Sequence, residues 1–139
     1  MRLVIDMQGA QTASRHRGIG RYAMALALHM ARLRGDHEII LLVNGMFVDT
    51  VESIRAAFDG LVQQHDIRVL ECLGPVHARD PSAARRRRAA EIAREAFVAS
   101  LQPDMVLIMS LFEGLGDDAV TSIGCHRHDL PTADRKSVV

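Results

Sequence analysis

Three features of this 139-residue chain predict an α/β fold, a Rossmann-like doubly wound parallel sheet. Short, nearly continuous apolar runs recur at Leu3-Val4-Ile5, Glu38 to Val43, Ile67 to Leu70 and Met105 to Met109, the pattern of strands buried on both faces. Longer stretches with apolar residues at helical spacing lie between them. Strand and helix alternate throughout, which implies parallel strands joined by right-handed crossovers with helices on both faces.

The first strand ends at Asp6 and the Gln8-Gly9 turn region. A polar loop, Gln11 to Arg17, then leads to Gly18-Ile19-Gly20 and a helix whose inward stripe is Ile19, Ala23, Leu26, Met30 and Leu33, with Gly35 as its C-terminal cap. The second strand stops at Asn44-Gly45. Asp49 is placed to cap a second helix, in which Ile54, Ala57, Phe58 and Leu61 face inward. Gly74-Pro75 breaks the chain after the third strand. Asp80-Pro81 opens a third helix, with proline at a position where its missing N–H does no harm, and Pro103 forbids continuation beyond about Leu101. The fourth strand leads into a loop holding Glu113, Gly114 and Gly116 and a short helix from Asp117.

With 48% hydrophobic residues, the chain is long enough for one packed core. Seventeen basic residues balance seventeen acidic ones, so no overall field draws it to nucleic acid, and no nucleic-acid partner is expected. Cys72 and Cys125 show no C-x-x-C spacing, which argues against a disulfide framework or a structural zinc site. No apolar run approaches membrane-spanning length, and Met1-Arg2 runs straight into a strand without a signal peptide. The expected location is cytoplasmic, with peripheral contact at the inner membrane face allowed.

Ligands of open parallel sheets bind outside the carboxyl ends of the strands. The loop after the first strand carries Arg15, His16, Arg17, Gly18, Gly20 and Arg21 at the entry of a helix, where backbone N–H groups and the helix dipole favour an anion. A phosphate or a sugar hydroxyl fits there; alternatively the glycines serve only a sharp turn and close helix packing. Two better-known phosphate signatures are absent. Nothing matches G-x-x-x-x-G-K-[ST], and the dinucleotide fingerprint fails because Ala23 stands where a third glycine belongs and the second strand ends in Val43-Asn44 without an acid for the ribose.

Glu113 follows the fourth strand and is placed to orient an acceptor hydroxyl or act as a base. Asp117 and Asp118 there suit the start of the next helix instead. Ser110 lacks a nucleophile-elbow sequence. The run Arg85-Arg86-Arg87-Arg88 reads either as a solvated helix face or as a contact for anionic lipid head groups or a lipid-phosphate acceptor. Cys125, His126, His128 and Asp129 are near neighbours in sequence and do not supply four converging ligands, so no metal is assigned.

Arg2-Leu3-Val4-Ile5-Asp6-Met7-Gln8-Gly9-Ala10-Gln11, then Arg17-Gly18-Ile19-Gly20-Arg21-Tyr22, Phe58-Asp59-Gly60 and Ser110 to Val120, taken in order, resemble the N-terminal half of group 1 retaining glycosyltransferases of the GT-B fold, in particular bacterial enzymes of surface-polysaccharide biosynthesis. The resemblance implies a transferase that moves a sugar from a nucleotide-sugar donor to a saccharide or lipid-linked acceptor, with no cofactor beyond that donor. It places substrate-binding roles on Gly18, Gly20 and Arg21, with Arg17 beside them; Glu113 joins this substrate-binding set by its position after the fourth strand. The donor half and its E-x7-E glutamates lie outside these residues, so the catalytic residues are not assignable and the fragment alone is expected to be inactive. The alternative is a stand-alone nucleotide- or anion-binding module of the same fold.

Residues 1–133 are thus expected to form an incomplete, acceptor-side domain. Leu130-Pro131-Thr132-Ala133 reads as entry into a fifth strand, whereas Asp134 to Val139 breaks the apolar pattern and matches the translation of a common sequencing adapter. Residues 134–139 are expected to be a non-native tail that completes no strand.

Overall fold

The computed structural model describes residues 1–12, 16, 18–71, 76, 80–109, 119–120 and 131–134. Five strands, β1 (Arg2–Asp6), β2 (Glu38–Asn44), β3 (Ile67–Leu70), β4 (Met105–Ile108) and β5 (Thr132–Asp134), form one sheet in the order β3-β2-β1-β4-β5. Every neighbouring pair is parallel. The helices are α1 (Gly18–Arg32), α2 (Val48–Ala57) and α3 (Ala84–Ser100). This is the Rossmann-like α/β arrangement expected from the alternating pattern, with β1 at the centre.

Strand alternation divides the core. Leu3 and Ile5 of β1 and Ile39, Leu41 and Val43 of β2 pack with Ala23, Ala27 and Ala31 of α1 and with Val51 and Ile54 of α2. Val4, Ile40, Leu42, Val106 and Ile108 point the other way and pack with Val98 and Leu101 at the end of α3. Successive side chains of a strand face opposite layers, so the parity of β1 that sends Val4 toward α3 sends Asp6 there as well.

Several local expectations are corrected. Leu33 is 83% exposed and lies just past the end of α1; of the expected stripe Ala23 is buried and Leu26 and Met30 pack partly buried against the core, joined by the fully buried Ala27 and Ala31, small residues that let the helix approach the sheet closely. Gly35 does not cap α1. It has a φ of 58° inside a separate turn, where His37 N–H donates to Arg34 O at 3.0 Å, a left-handed conformation that glycine adopts without penalty. Asp49 lies within the first turn of α2, whose cap position is Phe47 and lacks a side-chain cap bond; there its charge still meets the positive end of the helix. Val51 is buried in that helix and Ala57 is exposed. Asp80 caps as expected, accepting from Ser82 N–H at 3.0 Å, and a short 3-10 turn over Pro81–Ala83 leads into α3.

The fifth strand forms from the expected entry at Thr132 and Ala133, and only its last residue is a correction. Thr132, Ala133 and Asp134 pair in parallel with Val106, Leu107 and Ile108, so the first residue of the expected tail does complete a strand beside β4. Backbone pairing needs no apolar side chain, and an edge strand tolerates a polar one. Arg135 to Val139 lie outside the described residues.

Candidate functional site

At the carboxyl ends of β1 and β2 the chain buries polar groups that the sequence reading left unassigned. Asp6 is 1% exposed and Arg94 of α3 is 2% exposed. The Arg94 guanidinium donates to Asp6 Oδ2 through Nη2 at 2.6 Å and Nε at 3.2 Å. Asp6 Oδ1 accepts the Gln8 backbone N–H at 3.0 Å. This charge pair joins α3 to the central strand beside the point where the connections diverge, β1 leading through α1 to β2 on one side while β4 lies on the other, which is the crevice where such sheets bind ligands.

Two glutamines extend the network by imitating backbone. Gln8 Nε2 donates to Val120 O at 2.6 Å while Gln8 Oε1 accepts from Val120 N–H at 2.7 Å and from Asn44 Nδ2 at 3.0 Å. Gln11 does the same for the end of β2, donating to Asn44 O at 3.0 Å and accepting from Asn44 N–H at 2.7 Å. Gln11 Nε2 also reaches Thr50 Oγ1 of α2 at 3.2 Å. Buried backbone groups require partners; an amide side chain carries the same donor and acceptor, so each glutamine acts as one more rung of pairing. The chain at this point is held by side chains because the short turn over Gln8–Ala10 replaces sheet.

Beside this network, between α1 and α2, lies a cavity of about 560 Å³. Ala10, Met24, Ala25, Leu28 and Ile54 give it an apolar lining, and His16, Arg21, Asp49, Thr50 and Ser53 contribute polar groups. Gly20 and Arg21 line it, in the first turn of α1, and Gly20 is buried. Gly18 is the first residue of α1, exposed and outside the lining; a Cβ there would meet nothing within 4 Å, and its φ is not positive. Neither strain nor crowding therefore explains glycine at position 18. The first turn of α1 carries no acidic residue, so no carboxylate of its own meets the positive end of the helix. Arg17 and Glu113 lie outside the described residues, as do Ser110, Asp117, Asp118, Cys125, His126, His128 and Asp129.

The structure thus brings Gly20, Arg21 and the loop residue His16 together with Asp49 and Ser53, neither of which the sequence motifs selected for binding. Asp49 and Ser53 are one helical turn apart on α2, a spacing visible in the sequence but indistinguishable there from a solvated face. Among the described residues no three His, Cys, Asp or Glu side chains converge as a metal site would require, and no helix is long and apolar enough to cross a membrane. Chemically, the cavity offers a cation, a carboxylate and hydroxyls around an apolar floor, a set suited to a polyhydroxylated ligand.

Comparison with known proteins gives 33% identity over 124 residues, 88% of this chain, to the serotype-specific mannosyltransferase WbdA of Escherichia coli. The chain is homologous to a segment of bacterial mannosyltransferases. Two further mannosyltransferases of that name from the same organism match at 31% and 30% identity, each over 64% of this chain. The chain spans about 15% of the length of the first mannosyltransferase and about 11% of the other two. No family model matches the chain, and no solved structure does.

Proposed function

We propose that the chain is the acceptor-side part of a larger glycosyltransferase that moves a sugar from a nucleotide-sugar donor to a saccharide or lipid-linked acceptor in polysaccharide biosynthesis. The observation that carries this reading is the mannosyltransferase similarity running through 88% of the chain; the parallel sheet with a cavity lined by Gly20 and Arg21 supports it. By that likeness the transferred sugar is mannose. The finer proposal is a GT-B enzyme that retains the anomeric configuration. Its donor half lies outside these residues, and residues 1–133 contribute only one wall of the cleft.

In this reading Arg21 and the backbone N–H groups at Gly18 and Gly20 attract phosphate or sugar oxygens, and Asp49 and Ser53 hold acceptor hydroxyls. Arg17 and Glu113 complete the binding set, Glu113 as the carboxylate that orients the attacking hydroxyl. The nucleotide-sugar is a substrate, and no cofactor or metal is assigned a role.

The test is transfer of radiolabelled mannose from nucleotide-mannose to saccharide and lipid-linked acceptors. The purified 139-residue chain is expected to give none, and the longer product of the source locus is expected to give transfer that Gly20→Trp and Arg21→Ala both diminish. Turnover by the 139-residue chain itself, lost in those two variants, overturns the partial-enzyme reading. A genomic stop codon directly after Val139 overturns it as well and favours the stand-alone anion-binding module.

A further inference from the structure

The arginine run at the start of α3 is not one uniform patch. Arg87 is turned into the protein: its Nη1 donates to Val76 O at 2.9 Å and to Ala119 O at 3.3 Å, and its Nε lies 3.4 Å from Glu91 Oε1. Arg85 and Arg88 are exposed, and neither has a hydrogen-bond or ion-pair partner among the described residues. They sit in the opening turns of a helix whose first turn holds no acidic residue, where the dipole disfavours cations.

The residues that follow on the same side are apolar. Arg85, Arg88, Ala89, Ile92, Ala93 and Ala96 are all exposed and recur at helical spacing, with Ile92 46% exposed. The two acids of α3 are withdrawn from this face: Glu91 is paired with Arg87, and Glu95 is 2% exposed on the sheet side. The outward face of α3 is consequently cationic at one end, apolar along the rest, and free of carboxylates. An ordinary solvated helix intersperses both charge signs. This one does not.

We propose that this face of α3 docks on an anionic phospholipid surface, with Arg85 and Arg88 at the phosphates and Ile92 flanked by alanines at the boundary of the head groups. Charge complementarity selects the partner: two unpaired guanidiniums at the positive end of a helix are stabilised by fixed negative charge, and a flat alanine surface with one large apolar side chain suits a shallow interfacial contact. Because α3 runs back against parallel strands, its first turns lie at the carboxyl-end edge of the sheet, the edge that carries the α1–α2 cavity. Docking there holds that edge near the membrane. The inference rests on α3 alone and stands or falls independently of glycosyl transfer.

Co-sedimentation of the 139-residue chain with vesicles tests it. Phosphatidylcholine vesicles containing about 30% phosphatidylglycerol should bind the chain, pure phosphatidylcholine should not, and about 0.5 M salt should release it. Arg85→Gln with Arg88→Gln should weaken binding roughly thirty-fold, and Ile92→Ser roughly five-fold, with far-ultraviolet circular dichroism unchanged. A matched control, Arg32→Gln with Arg34→Gln on α1 and the turn after it, should bind as the unaltered chain does. Equal binding to both vesicle types, no binding to the anionic ones, or weakening by the control pair as large as by the α3 pair overturns the proposal. Self-association that Ile92→Ser abolishes, without vesicle binding, also overturns it and assigns the face to a second copy. The salt and lipid dependence of the unaltered chain decides the question even if a variant fails to fold.

Discussion

The two layers that cover the sheet are held in different ways. On the α1 and α2 side, sixteen buried apolar residues among those described make one continuous cluster, and the helix meets the strands through alanines. On the α3 side the corresponding cluster holds eight, and the helix is fixed instead by Arg94 reaching Asp6 and by Arg87 reaching backbone carbonyls. Apolar packing is non-directional and tolerates sliding. A guanidinium fixed to one carboxylate sets the register of the helix on the sheet, and it does so at the carboxyl-end edge, where a ligand surface has to be built with least freedom.

The difference can be broken most sharply at Arg94. Arg94→Met should destabilise the chain by about 3–5 kcal/mol, because Asp6 is left charged and buried without its partner. In urea denaturation the paired change Arg94→Met with Asp6→Ala should be less destabilising than the sum of the two single changes; additivity would show that the ion pair does not join the layers. On the apolar side, Ile54→Ala should lose about 2–4 kcal/mol through cavity formation. It should leave the near-ultraviolet signature of the remaining fold intact, and a smaller loss would mean that α2 settles into the space. The smallest effect belongs to the junction: Gln11→Ala removes the side chain that accepts Asn44 N–H, together with one of the two donors to Asn44 O, since Phe47 N–H still donates there at 3.2 Å, and should lower stability by about 1–3 kcal/mol. Hydrogen exchange at Asn44 should quicken more than at Leu41, and equal protection at both would deny Gln11 its role as a rung of the sheet.

In the proposed transferase these layers are part of a larger architecture. If the chain forms one wall of a transferase cleft, the polar network beneath Ala10 and Thr50 supports the floor of the α1–α2 cavity, since Gln11 reaches Thr50 Oγ1 and Thr50 lines that cavity. Substitutions at Gln11 should then change ligand binding without touching the ligand, as supporting residues do when they orient those that touch it.

Most of the architecture is legible in the amino-acid order. Continuous apolar runs identify the strands because a strand covered on both faces has no solvent side to display, and the start of α3 is legible because Asp80 and Pro81 act through bonds within three residues. The inward stripe of α1 is less so. Leucine and methionine dominate the hydrophobicity of that helix, yet Ala23, Ala27 and Ala31 are the residues buried completely, with Leu26 and Met30 only partly buried beside them, because the distance between layers decides which side chains fit. The binding residues divide likewise: Gly20 and Arg21 stand in a motif with His16 in the loop just before it, whereas Asp49 and Ser53 join them only once α1 and α2 lie side by side.

By itself, then, the sequence determined the strands, the alternation with helices and the parallel sense of the sheet, since these follow from hydrophobic period and local turn chemistry acting over a few residues. It did not reveal that Asp6 meets Arg94 across 88 positions, that Gln8 and Gln11 are buried rungs, or that Leu33 points to solvent. Those outcomes depend on the crossover that carries α3 from β3 back over β1 and on the spacing between layers. A polar side chain has the same local preferences whether it ends in water or in the core, and only the partner brought to it by the tertiary fold makes burial affordable.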